Sequence, residues 1–217
     1  MIVPSISPFI LTDPGQRLTA KLLPQLCSDP QWLLEEKFDG YRCLLRFDGA
    51  NLNLITKNNR EHRLPADFRL FTEDYLRKHG VTSLILDSEL VGYNKENYPD
   101  FTVIRKTNSV RIFHAFDLLY LNGLYFRREP LVLRKKLLFE FVEAISKTDQ
   151  LFRYVEHYTD TQEKIHKVME IFHGGREGVV LKHTESLYGD PKYPWYKFKN
   201  KSYSTGQGRW RQLKGRS

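Results

Sequence analysis

Two hairpin-turn signals between short extended segments constrain the fold of this chain most strongly. Asp48-Gly49 follows the extended segment 41–47, and Asn122-Gly123 follows the strongly apolar segment 110–120. Dipeptides of this kind form tight turns between neighbouring antiparallel strands. Segments with helical spacing are interspersed among these strands. The sequence therefore predicts an α+β fold with antiparallel sheets flanked by helices.

Three segments have the apolar spacing of amphipathic helices. The first follows Pro65 and ends at Gly80, and the second begins at Pro130. The third is capped by Thr159 or Asp160, because a side-chain oxygen there can accept a backbone N–H. Its buried stripe is expected to comprise Ile165, Val168, Met169 and Phe172, and Gly174-Gly175 is expected to end it. Residues 1–31 are expected to form an extended lead-in with one helical turn, 101–105 a short helix, and 151–158 a single strand.

The composition favours an intracellular protein without a membrane segment. The chain has 217 residues, of which 41% are hydrophobic, enough for one large domain or two tightly joined lobes. No apolar stretch approaches the roughly 20 residues that span a bilayer. The start lacks a signal peptide, and the two cysteines show no pairing pattern. We expect a location inside the cell, which is the cytoplasm if the source is bacterial.

The positive charge is concentrated at the C-terminal end. The net charge is +8, and residues 191–217 contain eight basic residues and no acidic one. The first 190 residues are formally neutral. A local basic excess favours a polyphosphate or nucleic-acid partner. A solvated basic tail without a specific partner is the alternative.

The segment 35–42, Glu-Glu-Lys-Phe-Asp-Gly-Tyr-Arg, places a lysine between carboxylates beside a glycine turn. A neutral lysine amine can attack an electrophile and hold it covalently. Strand periodicity puts Glu35, Lys37 and Asp39 on one face. Taken by itself, the segment is better explained as an ordinary charged strand face next to a turn.

Further charged or aromatic positions follow in order along the chain, and each alone is weak evidence. Lys57 lies in a polar loop, and Asp87 and Glu89 share one face of a predicted strand. Phe116 precedes Asp-Leu-Leu-Tyr. The last two motifs are Glu-Gly-Val-Val-Leu-Lys at 177–182 and Lys-x-Lys at 197–199.

This ordered set resembles the adenylation (nucleotidyltransferase) domain of ATP-dependent DNA ligases, from about Leu22 to Lys199. That domain belongs to the covalent nucleotidyltransferase superfamily, which also contains RNA ligases and mRNA capping enzymes. The resemblance implies that fold, with the nucleotide pocket between its antiparallel sheets. It also implies an adenylation domain over residues 1–199 and a basic tail over 200–217, without the usual OB-fold domain.

The resemblance also implies a role for each position. Lys37 is expected to attack the α-phosphate of ATP and form lysyl-AMP. Phe116 is expected to stack on adenine, Arg42 to reach the sugar and the DNA end, and Glu89 and Glu177 to bind Mg²⁺. Lys57 stands where the family usually has arginine. The expected nucleotide-binding set is Glu35, Glu36, Lys37, Arg42, Lys57, Glu89, Phe116, Glu177, Lys182, Lys197 and Lys199.

The expected activity is that of an ATP-dependent DNA ligase acting in repair. AMP would pass from Lys37 to a DNA 5′-phosphate at a nick in double-stranded DNA. A monomer is expected, with a separate OB-fold or repair protein as a further partner. The alternatives are an RNA ligase, a GTP-dependent capping-type enzyme, and a non-catalytic nucleotide- or DNA-binding accessory domain.

Overall fold

The computed structural model of this protein describes residues 3–94, 99, 103–104, 106, 109–147 and 150–203. The chain divides into two compact units. The first unit comprises residues 1–10 and 40–154, and the second comprises 11–39 and 155–217. Of the predicted helix at 101–105, only residues 103–104 are described, and of the predicted basic tail at 200–217, only residues 200–203.

Helices and strands alternate irregularly along the described chain. Their bounds, in chain order, are α1 Gly15–Ser28, β1 Trp32–Lys37, β2 Tyr41–Phe47, β3 Leu52–Thr56, β4 Glu61–His62, α2 Ala66–Lys78, β5 Leu84–Tyr93, β6 Val110–Leu121, β7 Leu124–Tyr125, α3 Leu131–Ile145, β8 Phe152–Tyr154, β9 His157–Tyr158, α4 Thr161–His173, β10 Gly178–His183 and β11 Tyr196–Lys199. No helix within the described residues is long and apolar enough to cross a bilayer.

The first unit contains a sheet with the strand order β4-β3-β2-β5-β6-β7. Its neighbouring strands are antiparallel, while β8 pairs with β6 in parallel. One face packs against α2 and α3 through a continuous apolar core that includes Leu45, Phe47, Leu76, Phe113 and Leu138. The backbone carbonyls of Val3 and Phe9 accept hydrogen bonds from Arg46 and Arg42 of β2. Residues 3–9 therefore lie along β2.

The second unit contains an antiparallel sheet with the strand order β11-β10-β1-β9. The apolar side chains of Leu34, Val179, Leu181 and Phe198 pack against Leu26 of α1 and Ile171 of α4. Burial of such side chains is the main favourable term in folding. The α+β architecture with antiparallel sheets is as predicted.

The hairpin turn after β6 is confirmed by positive φ angles at Asn122 and Gly123. The two glycine-terminated helices begin and end close to their predicted positions. Asp160, not Thr159, caps α4: its carboxylate accepts from the backbone N–H groups of Gln162 and Glu163.

Three local predictions are wrong. Residues 15–28 form a 14-residue helix, because leucines spaced along it pack on α4 and outweigh the proline-rich composition. The single strand expected over 151–158 is two strands, β8 and β9, which belong to different sheets. On α4, Ile165 and Met169 are exposed, while the Lys164 ammonium is buried and donates to the backbone carbonyls of Asp29 and Trp32.

Candidate active site

One face of the second unit's sheet carries a cluster of charged side chains. Lys37 stands directly opposite Gly178, and Gly178 stands opposite Lys199 on the next strand. Residues paired in this way share a face, and alternate residues along each strand share it too. The set on this face, called the lysine face below, is Glu35, Lys37, Lys182, Lys197 and Lys199.

The opposite face of the same sheet is the apolar one that packs on α1 and α4. The side chains of Leu34, Val179 and Phe198 occupy it. Since the helices cover that face, alternation along β1, β10 and β11 directs the charged residues away from the helical layer. The same alternation of side chains along these strands therefore forms both the apolar core of this unit and the lysine face.

Lys37 pairs with Glu177, the residue immediately before β10. The Lys37 Nζ atom lies 2.6 Å from Glu177 Oε1, and Lys199 Nζ lies 4.0 Å from the same oxygen. Burial raises the pKa of Glu177 above its ordinary value, although the Lys37 ammonium acts in the opposite direction. The second oxygen, Glu177 Oε2, is buried and has no hydrogen-bond partner among the described residues. This carboxylate can therefore accept one further donor or cation.

Lys182 and Glu35 form a second ion pair, which is almost fully buried. Lys182 Nζ lies 2.5 Å from Glu35 Oε2, and the two side chains are 2% and 3% exposed. The same Nζ lies 4.0 Å from the centroid of the Trp195 ring. The indole N–H of Trp195 donates to Ser186 Oγ, which fixes the ring. A buried charge needs such partners, because desolvation alone would be costly.

Glu36 and Lys197 stand apart from these pairs. Glu36 belongs to the helix-covered face, where Arg176 donates to its Oε2 at 2.6 Å. The structure therefore does not bring the Glu36 side chain to the lysine face. Lys197 does lie on that face, and its Nζ is 3.8 Å from Asp13 Oδ2. Lys199 is the most exposed of the four lysines, at 59%.

Gly178 allows the close approach of β10 and β11 at this point. Its φ is +154°, and a Cβ atom there would lie 2.1 Å from the carbonyl oxygen of Phe198. A larger residue would push the two strands apart and displace Lys199 relative to Lys37. The glycine after Glu177 is thus a steric requirement of the site.

A second group of predicted residues meets in the first unit, around Arg42. Its guanidinium donates to both oxygens of Asp87, at 3.2 and 2.8 Å, and to the carbonyl of Phe9 at 3.0 Å. The guanidinium carbon lies 5.5 Å from the centroid of the Phe116 ring and 5.3 Å from that of the Phe9 ring. Arg42 is thus held by one carboxylate and by two aromatic rings.

Phe116 occupies a β-bulge between β5 and β6. Ser88 pairs with Ala115 and Asp87 with Asp117, so Phe116 is the extra residue on β6. A bulge re-aims the side chain at that position, and here it directs the ring towards Arg42. Glu89 is directly opposite Arg42 in the β2–β5 register and therefore shares its face.

Lys57 is not brought to any of these groups. It is exposed in the turn after β3 and forms no ion pair within the part of the chain that the structure describes. Asn59, two residues on, has a positive φ and accepts a hydrogen bond from Ser7 Oγ.

Carboxylates are the side chains of this chain that are best suited to bind Mg²⁺. In the described ranges, no three His, Cys, Asp or Glu side chains are grouped closely enough to hold a metal ion. Mg²⁺ needs fewer protein ligands, since it commonly keeps several waters and binds one or two carboxylates together with substrate phosphates. Glu177, with its unpartnered buried oxygen, fits that requirement.

Sequence reasoning missed Phe9 and the ring contact of Trp195. Phe9 lies in a proline- and serine-rich segment without periodicity, so no sequence signal pointed to it. Trp195 has the same parity as Lys197 and Lys199, a signal that could have placed it near the lysine face. Its partner Lys182 is on a different strand, and only the pairing of β10 with β11 brings them together.

Comparisons with known proteins agree on one family. The profile described as ATP dependent DNA ligase domain matches residues 19–199. A probable DNA ligase of Dictyoglomus turgidum is 30% identical over 184 residues, which are 76% of this chain and 30% of the relative. A multifunctional non-homologous end joining protein LigD of Mycolicibacterium smegmatis is 29% identical over 192 residues, 85% of this chain and 24% of the relative. The chain thus spans less than a third of these relatives.

Solved structures show the same likeness. Mycobacterial DNA ligase D complexed with ATP and MES has a TM-score of 0.67 and 27% identity, covering 89% of this chain and 60% of that one. Chlorella virus DNA ligase-adenylate, at 12% identity, has a TM-score of 0.60 over 89% of this chain and 69% of its own, and shows the shared fold alone.

Proposed function

The chain belongs to the ATP dependent DNA ligase domain family, and from this premise we propose that it is an ATP-dependent adenylyltransferase of the DNA ligase type, with Lys37 as its nucleophile. The observation that carries the proposal is the Lys37–Glu177 pair on a face with three further lysines. An amine beside a proton acceptor, surrounded by cations, suits attack on a polyphosphate.

The first step forms a bond between Lys37 Nζ and the α-phosphorus of ATP. The bond from that phosphorus to the bridging oxygen breaks, and pyrophosphate leaves with the electron pair. Glu177 Oε1, 2.6 Å from Nζ, is the proposed acceptor of the lysine proton. Its raised pKa makes it a better acceptor than an ordinary exposed carboxylate.

The other lysines of the lysine face act on the phosphates. Lys182, Lys197 and Lys199 place positive charge on the same sheet face as the nucleophile. Such charge stabilises the transition state where negative charge develops on phosphate oxygens. Glu177 and Glu89 are each proposed as ligands of Mg²⁺, directly or through water, and Mg²⁺ would add positive charge at the phosphates. For Lys182 to contact a phosphate, its ammonium must give up part of its ion pair with Glu35.

The purine and sugar are assigned to the remaining predicted residues. Phe116 is proposed to stack on adenine, which contributes about 1–3 kcal/mol with little dependence on the base. Glu35 is proposed to lie near the adenine edge, Glu36 to contribute through its backbone, and Arg42 to contact the sugar and later the DNA end. Lys57 is proposed to contact phosphate as a point charge, without the bidentate fork of arginine.

In the second and third steps, AMP passes to a DNA 5′-phosphate, and a 3′-hydroxyl then displaces it. Nicked double-stranded DNA is the proposed substrate, and repair the proposed setting, inside the cell. We propose that the chain acts as a monomer and that an OB-fold or repair protein completes its grip on DNA. These proposals concern the sealing of DNA, and the proposed adenylation of Lys37 does not depend on them.

The test is incubation with labelled ATP and Mg²⁺, followed by intact mass spectrometry. The native chain should gain the mass of one AMP and lose it on addition of pyrophosphate. Lys37→Ala should gain none, while Lys78→Ala, a change at an exposed lysine ending α2, should label like the native chain. Equal labelling of Lys37→Ala, or no label on the native chain, would contradict the proposal.

The same assay separates the alternatives. Labelled GTP in place of ATP would identify a capping-type enzyme, and faster sealing of nicked RNA than of nicked DNA would identify an RNA ligase. Salt-sensitive DNA binding without any lysyl-AMP would favour an accessory domain.

A further inference from the structure

The four residues that follow β11 form a compact structure that we call the clasp, residues 200–203. Asn200 anchors it. Its backbone N–H donates to the carbonyl of Glu177 at 2.8 Å, and its side-chain amide donates to the carbonyls of Phe172 and Arg176 at 2.9 and 3.1 Å. These acceptors lie at the end of α4 and just before β10. The clasp is therefore attached to the backbone of the proposed proton acceptor.

Hydrogen bonds within the clasp fix the position of Tyr203. The side-chain oxygen of Asn200 accepts from the backbone N–H and the hydroxyl of Ser202, at 3.1 and 2.9 Å. The N–H of Tyr203 donates to the carbonyl of Asn200 at 3.1 Å. An asparagine that closes a turn through its own side chain is a common way to hold a short segment in one conformation. Tyr203 is thus presented from a fixed turn.

The Tyr203 hydroxyl donates to Asp39 Oδ2 at 2.5 Å, across 164 positions of sequence. Asp39 follows Lys37 by two residues, beyond the end of β1. Within the described residues, Asp39 forms no ion pair with a lysine or arginine. A hydroxyl that donates to a carboxylate makes one of the stronger protein hydrogen bonds.

We propose that Tyr203 is a positioning residue, which holds Asp39 and through it the end of β1 that carries Lys37. The inference rests on the proposed function of Lys37 as nucleophile. Lys37 is the last residue of its strand and pairs with Gly178, so the ladder ends there. The backbone of 38–39 therefore needs a tertiary contact to keep one conformation, and the clasp supplies it.

The phosphate-binding lysines do not depend on this contact. Lys182 lies within β10, and Lys197 and Lys199 within β11. Loss of the Tyr203 hydroxyl should therefore leave the binding of ATP unchanged and impair the placement of the nucleophile. A slower reaction with unchanged ATP binding distinguishes a positioning role from a general loss of structure.

Tyr203→Phe in the full chain keeps the ring and removes the donor. With labelled ATP and Mg²⁺, we expect the rate of lysyl-AMP formation at saturating ATP to fall about tenfold, as for loss of a charge-assisted hydrogen bond. The half-saturating ATP concentration should stay unchanged. Tyr193→Phe is the matched control, because the Tyr193 ring stacks on His183 in the same unit and its hydroxyl has no partner among the described residues.

Hydrogen exchange gives a readout that does not need activity. A peptide spanning residues 37–40 should exchange faster in Tyr203→Phe, while peptides from β10 should not change. This arm still tests the inference if the native chain forms no lysyl-AMP, an outcome that would count against the proposed function alone. Unchanged exchange at 37–40, an unchanged rate, or a change confined to the half-saturating ATP concentration would overturn the inference.

Discussion

Glu177 is a buried carboxylate whose two oxygens have different surroundings. One oxygen pairs with the Lys37 ammonium, while the other is buried without a hydrogen-bond partner in the described structure. Burial raises its pKa, so that the carboxylate holds a proton more readily than an exposed one. A group of this kind is suited to take a proton from the lysine and to hold a cation with its other oxygen.

Glu177→Gln should therefore slow lysyl-AMP formation by about 100-fold or more, the usual contribution of a positioned proton acceptor. The substitution keeps the side-chain size and removes the charge. Single-turnover labelling with ATP measures the effect. Glu185→Gln, at an exposed carboxylate of the same unit, should react at the native rate. If Glu177→Gln slowed lysyl-AMP formation less than threefold, the proposed role of Glu177 would be excluded.

At the scale of secondary structure elements, the pairing of β10 with β11 determines where the cations lie. Gly178 faces Lys199 in the register, and its missing side chain leaves room for the carbonyl of Phe198. No side chain can be added there without moving one of the two strands. The spacing of Lys37, Lys199 and Glu177 thus depends on a residue that carries no functional group.

Gly178→Ala should lower the free energy of unfolding by roughly 2–4 kcal/mol, through steric overlap together with an unfavourable φ. Gly80→Ala is the control, because Gly80 also has a positive φ but nothing lies within 4 Å of an added Cβ. Gly80→Ala should lower the free energy of unfolding by only about 1 kcal/mol. Urea unfolding measures both variants, and equal losses would refute the steric explanation.

At the scale of the whole molecule, a buried histidine couples stability to pH. His114 is 4% exposed within the core strand β6, and its Nε2 atom lies 2.8 Å from the Tyr93 hydroxyl. Burial, with a smaller contribution from Arg153, lowers the pKa of His114 to about 3. In the unfolded chain an ordinary histidine binds its proton near pH 6.5. The unfolded state therefore takes up the proton first as the pH falls.

The free energy of unfolding should consequently be independent of His114 above pH 6.5 and should fall between pH 6.5 and about 3. At pH 4.5 the loss due to this residue should be roughly 2–3 kcal/mol. His114→Gln lacks the titrating ring, so its stability should decline less over the same interval. Urea unfolding at a series of pH values gives the comparison. Parallel pH profiles for the two proteins would contradict this assignment.

The sequence contained the information for most elements, because their signals are local. Asn122-Gly123 predicts its turn from backbone conformation alone, and alternation predicts that Lys197 and Lys199 share a face. The common face of Lys37 and Lys199 could not be derived, since it depends on which strands pair and in what register. Phe9 and Tyr203 were missed because each contacts a residue more than 30 positions away and lies in a segment without periodicity.

During synthesis, the strand that carries Lys37 is made well before the strands with which it pairs. β1 pairs with β10 and β9, and those strands are made more than 100 residues later. The main body of the first unit, residues 40–154, emerges from the ribosome in between. Since domains generally fold as units during translation, Lys37 has no sheet partner while that unit folds. Lys37 therefore meets Glu177 and the other lysines only after β10 and β11 have been made, so a product that ends before residue 177 would carry Lys37 without these neighbours.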